Sequence, residues 1–91
     1  MAPDLERYPC LKLAYQSIEI GETMPAILNA ANEVSVNAFL EGAIKFTDIP
    51  ILIQRVMEDH EVRTVHTLED ILKADHWARD RGKAILERGK V

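Results

Sequence analysis

The sequence predicts an all-α protein, a compact four-helix bundle-like domain built around a central apolar second helix. Three observations predict it. Apolar residues make up 47% of the 91 residues while aromatics supply only 5%, so aliphatic side chains and alanine must form the core. That favours helix-on-helix packing over a sandwich, whose strands prefer aromatic and β-branched residues. Apolar residues also recur at helical spacing along the chain, and Gly, Pro and Thr punctuate it as helix starts and stops. A chain of this size buries roughly 60–65% of its unfolded surface, enough for one domain of modest stability.

Residues 1–8, with Pro3, Asp4, Glu6 and Arg7, show little periodicity and read as an extended lead-in or linker; residues 9–91 form the helical domain. Pro9 suits the first turn of a helix, where its missing N–H is not needed. Leu11, Ala14, Tyr15 and Ile18 then mark an amphipathic stripe, and Gly21 is placed to stop it. Thr23 is a candidate cap for the second helix, with Pro25 inside its first turn. From Ile27 to Leu40 apolar side chains point nearly all round, the pattern of a helix buried on several sides. Asn29, Asn32, Glu33 and Asn37 interrupt it and line up on one face. Gly42 ends it.

Ala43 to Phe46 make a short connector that an extended course would also suit. Thr47 is a candidate cap for the third helix, Asp48 favours its positive end, and Ile49, Leu52, Ile53, Val56 and Met57 give its stripe. Asp59 to His66 form a polar link. Thr67 and Asp70 resemble a capping box, although Asp is shorter than the usual Glu or Gln. Leu68, Ile71, Leu72, Ala78, Ile85 and Leu86 carry a fourth helical face, with Asp75 on the same stripe and Arg79 one turn later. Gly82 inside this helix costs about 1 kcal/mol relative to Ala, which predicts fraying or a kink in the last turns.

The formal net charge of −4 opposes nucleic-acid binding, which depends on Lys and Arg neutralising phosphates. The late basic residues Arg79, Arg81, Lys83, Arg88 and Lys90 are interleaved with Asp75, Asp80 and Glu87, as on a solvated helix face. No apolar run reaches the roughly 18–20 residues needed to cross a bilayer, so no membrane partner is expected. The N-terminus lacks the basic start and apolar stretch of a signal peptide. With the lone Cys10, which excludes an internal disulfide, this reads as a cytoplasmic chain.

No catalytic, cofactor-binding or metal-binding constellation emerges. His60 and Glu61 begin like a zinc-protease motif, but Thr64 stands where the second ligand belongs. His66 and His76 have no histidine four residues on, and all three histidines read as surface residues. Cys10 falls in a first helical turn, where a thiol pKa can drop, but no neighbouring His completes a dyad, and a small buried side chain is the simpler account. The glycines 21, 42, 82 and 89 are too dispersed for a phosphate loop. What remains is polar groups on apolar surfaces: Asn29, Asn32, Glu33, Asn37 and Asp75. They read as a structural network, because leaving such groups buried and unpaired costs about 1–3 kcal/mol each; a ligand-contacting surface is the alternative for the Asn29, Asn32, Glu33 and Asn37 strip.

The run Leu28-Asn29-Ala30-Ala31-Asn32-Glu33 follows Arg7-Tyr8-Pro9-Cys10-Leu11-Lys12-Leu13-Ala14 and precedes Phe46-Thr47-Asp48-Ile49. Together these closely resemble the 1-deoxy-D-xylulose 5-phosphate reductoisomerase family of the non-mevalonate isoprenoid pathway. The likeness runs from Pro3-Asp4 through Leu68-Glu69-Asp70-Ile71-Leu72 to the Asp75–Arg79 region. It implies the C-terminal helical domain of an enzyme that has an NADPH-binding domain and a central domain with metal and substrate sites before it. Met1 would then be a start placed ahead of a truncated reading frame. The whole enzyme would use NADPH and Mg²⁺ or Mn²⁺; none of that family's ligand residues carries onto a position here. The resemblance implies an inactive fragment whose partner is the catalytic domain of the same enzyme, and whose uncovered surface invites self-association or domain swapping. A free-standing helical module that binds a partner helix is the reading from another functional class.

Overall fold

The computed structural model describes residues 8–89, so all of the expected lead-in except Tyr8 lies outside the described residues. The elements follow the predicted order: α1 (Pro9–Ile20), α2 (Met24–Leu40), α3 (Asp48–Asp59) and α4 (Leu68–Glu87). No strand occurs among the described residues, and the connector at 43–46 bends and turns instead of extending.

Helix α2 touches each of the other three, whereas α1 and α4 do not meet. Each packs against both α2 and α3, in a flattened body of about 38 × 37 × 18 Å. The core is where these helices converge. Ile27, Ala30 and Ala31 of α2 meet Leu52, Ile53 and Val56 of α3 and Ala78 of α4, all fully buried or nearly so. Two buried serine hydroxyls are satisfied inside their own helices: Ser17 Oγ donates to the Ala14 carbonyl at 2.8 Å and Ser35 Oγ to that of Ala31 at 2.7 Å.

Two helices are rotated from the orientation their apolar stripes suggest. In α1 the buried residues are Leu13 and Ser17, while Leu11, Tyr15 and Ile18 are exposed. At 100° per residue, Leu13 lies about 200° round the helix from Leu11, so the larger stripe faces outward. In α4 the buried positions are Ala74, Ala78, Gly82 and Ile85, while Leu68, Ile71 and Leu72 are exposed. Small residues let α4 approach α2 closely, and that contact fixes the rotation. A Cβ on Gly82 would lie 3.2 Å from Val34 Cγ1. The glycine is therefore a packing residue, and α4 continues unbroken to Glu87.

Helix ends also depart from expectation. Neither Thr23 nor Thr47 caps its helix through its side chain. The α1–α2 turn is instead made by left-handed backbone at Gly21 and Glu22, with φ of 70° and 51°. The fourth helix does begin with a full capping box: Thr67 Oγ1 accepts from the Asp70 N–H, and Asp70 Oδ2 accepts from the Thr67 N–H at 3.0 Å.

Candidate functional site

The polar link at 60–66 is fastened to the α1–α2 turn. The Val65 N–H donates to Glu22 Oε2 at 2.9 Å, and the Arg63 N–H donates to Thr23 Oγ1 at 3.0 Å. Thr23 Oγ1 is also 2.7 Å from His60 Nε2. The His60 ring leans on Trp77 of α4 with centroids 5.1 Å apart. An open cleft of about 870 Å³ runs along this seam, lined by Thr23, the 59–64 segment and Trp77 among others. Burial, helped by the nearby Arg63 charge and opposed by Glu61, holds the His60 pKa below its ordinary value. The imidazole is therefore neutral at pH 7.

A Thr hydroxyl at hydrogen-bond distance from a neutral imidazole has the first two members of a nucleophile–base arrangement. Its surroundings argue otherwise. Thr23 is only 2% exposed, and its oxygen already accepts a backbone N–H. No reacting atom can approach it, so the pair acts as a fastening between α2, the link and α4. Sequence reasoning missed this trio because Thr23 and His60 are 37 residues apart and neither carries a local pattern that pairs them. His60 is half-buried, not the surface residue expected.

The second polar cluster joins α2 to α4 through Arg79. Its Nε donates to Asp75 Oδ2 at 2.8 Å, and its Nη2 reaches Asp75 Oδ1 at 3.2 Å and Glu33 Oε2 at 2.6 Å. These two carboxylates raise the guanidinium pKa further above its already high value, Asp75 contributing most. Of the polar residues singled out in the sequence, Glu33 and Asp75 are thus brought together. Asn29, Asn32 and Asn37 are exposed, and their side chains make no hydrogen bond to another described residue. Arg81 adds a separate tie, reaching Asp59 at the end of α3 at 2.7 Å. Cys10 is exposed where a buried side chain was expected, and partial desolvation raises its thiol pKa instead of lowering it.

Among the described residues no three His, Cys, Asp or Glu side chains gather as a metal site. The polar clusters described above supply no donor set for a divalent cation. What the polar groups do is join helices.

Residues 1–81 match the family described as DXP reductoisomerase C-terminal domain. A 1-deoxy-D-xylulose 5-phosphate reductoisomerase of Geobacter metallireducens is 51% identical over 94% of this chain and 22% of its own length. One from Chlorobium phaeobacteroides is 52% identical over the same shares. The chain thus spans about a fifth of the length of these curated relatives. The structure superposes with a TM-score of 0.88 on the reductoisomerase of Zymomonas mobilis, solved in complex with NADPH. That pair is 41% identical, covering 96% of this chain and 23% of the other. This chain, a four-helix domain matched over residues 1–81 by the family's C-terminal domain, belongs to the 1-deoxy-D-xylulose 5-phosphate reductoisomerase family.

Proposed function

We propose that this chain is the C-terminal structural and assembly domain of a 1-deoxy-D-xylulose 5-phosphate reductoisomerase. The whole enzyme would rearrange that substrate and reduce the product with NADPH to 2-C-methyl-D-erythritol 4-phosphate, in isoprenoid biosynthesis. The match of residues 1–81 to the family's C-terminal domain carries this reading. In it, residues 1–8 are the linker and residues 9–91 the domain, and NADPH and Mg²⁺ or Mn²⁺ are held by domains outside this chain. The domain's task is to pack against the catalytic domain and keep it in a productive shape. No helix among the described residues is long and apolar enough to cross a membrane, and a lone exposed thiol suits a reducing cytoplasm.

The test is a chimera in which this chain replaces the corresponding domain of the Zymomonas mobilis enzyme. NADPH oxidation with substrate and Mn²⁺ should be retained in the chimera and absent from the 91-residue chain alone. A folded chimera without turnover, or turnover by the chain alone, would overturn the reading.

A further inference from the structure

The largest departure from the sequence pattern is the outward stripe of α1. Leu11, Tyr15 and Ile18 fall at i, i+4 and i+7, so they share one face, and they are 38%, 45% and 70% exposed. Among the described residues, α1 is held to α2 and α3 through Leu13 and Ser17, on the opposite side of the helix from that face. A row of large apolar side chains left in water is the mark of a surface meant to be covered.

We infer that this face of α1 is the docking surface for the rest of the reductoisomerase polypeptide, a conclusion that rests on the function proposed above. Two observations choose that occupant over a second copy. The relatives are more than four times longer than this chain, and the matched domain is their C-terminal one. The remainder of such a protein therefore joins this domain through the chain that leads into α1. Of the other exposed apolar side chains, Leu68, Ile71 and Leu72 lie on α4, which does not meet α1, and Phe39, Leu40 and Phe46 lie at the end of α2 and in the connector after it. Neither group follows the linker directly in the chain.

The experiment compares amide hydrogen exchange of residues 9–20 in the 91-residue chain and in the Zymomonas chimera. Each is prepared with and without the triple change Leu11→Gln, Tyr15→Gln and Ile18→Gln, Gln being a good helix former. Exchange of this segment should slow by at least about tenfold in the chimera, and the triple change should abolish the slowing. The pair Leu68→Gln and Leu72→Gln should leave it intact. In the 91-residue chain the triple variant should keep its helical circular dichroism. Equal exchange in chain and chimera, or slowing that survives the triple change, would overturn the inference. So would unfolding of the triple variant as an isolated chain, since the stripe would then belong to the domain's own core. A dimer of the 91-residue chain that the triple change dissociates, with no effect in the chimera, would assign the face to a second copy and equally overturn it. An inactive chimera that still protects residues 9–20 would count against the proposed enzyme and leave the docking surface standing.

Discussion

Gly82 sits where α4 passes Val34 of α2, and any side chain there must displace that valine. Helix propensity alone would favour replacing it, but the interhelical distance opposes a bulky substitute. Gly82→Leu should destabilise the domain by about 1–3 kcal/mol through overpacking, measured by urea unfolding; an equal or higher midpoint would mean that α2 and α4 separate without cost. Arg79 supplies a smaller effect. It is charged at every accessible pH, and its carboxylate partners are partly in water, where such pairs contribute about 0–1 kcal/mol. Arg79→Met should therefore lower stability by no more than about 1 kcal/mol, and added salt should shrink the difference. For Asn32 the outcome follows from exposure: its side chain makes no hydrogen bond to another described residue, so Asn32→Leu should leave the melting temperature unchanged or raise it. A clear fall would show that its amide satisfies a group inside the domain. The sequence placed these three residues on helices, but whether each met a neighbour depended on how those helices rotate about their axes.

At the scale of elements the sequence was legible wherever the signal is local. All four helices, the glycine turns after α1 and α2, and the Thr67–Asp70 box could be read, because each depends on residues a few positions apart. The rotations of α1 and α4 could not. Both were assigned by the helical spacing of their apolar residues, whereas the faces that pack carry Leu13 and Ser17 in α1 and Ala74, Ala78, Gly82 and Ile85 in α4. The fastening of the 60–66 link was likewise hidden, since it joins Glu22 and Thr23 to residues some 40 positions later. That fastening should be visible in pH dependence. Because the folded pKa of His60 lies below its ordinary value, near 6.5, the folded state prefers the neutral ring. Its contribution is fully present above about pH 6.5 and is lost as pH falls through the lower folded value. The melting temperature should decline from pH 7 toward pH 5, and less steeply in His60→Gln, which keeps a polar group but does not titrate. Parallel curves would mean that His60 titrates as it does in the unfolded chain. Asp70 acts in a lower range. Backbone N–H groups of His66 and Thr67 hold its pKa below the usual carboxylate value, so the capping box persists above about pH 4 and weakens only as pH falls through that depressed value.

Across the whole molecule, stability is distributed unevenly. Helix α2 is covered by three neighbours and α3 buries Ile49, Leu52, Ile53, Val56 and Met57, whereas α1 commits one large apolar side chain, Leu13, and one serine. Opening free energy follows buried contact, so segments with few such contacts unfold locally before the rest. In the 91-residue chain, α1 should therefore behave as a separately opening unit. Its amides should exchange through local openings largely independent of denaturant. Those of Ile27 to Val34 and Leu52 to Val56 should exchange only through global unfolding, and so accelerate steeply with urea. Native-state exchange with mass or NMR detection distinguishes the two. Truncating Leu13 to Ala sharpens the comparison, because it should release α1 while leaving the α2–α3–α4 core cooperative. A single exchange free energy shared by α1 and α2, falling together in Leu13→Ala, would show instead that Leu13 and Ser17 are enough to make α1 an integral part of the core. The free energy by which α1 falls short of the core is then what a docking partner on its outer face could supply.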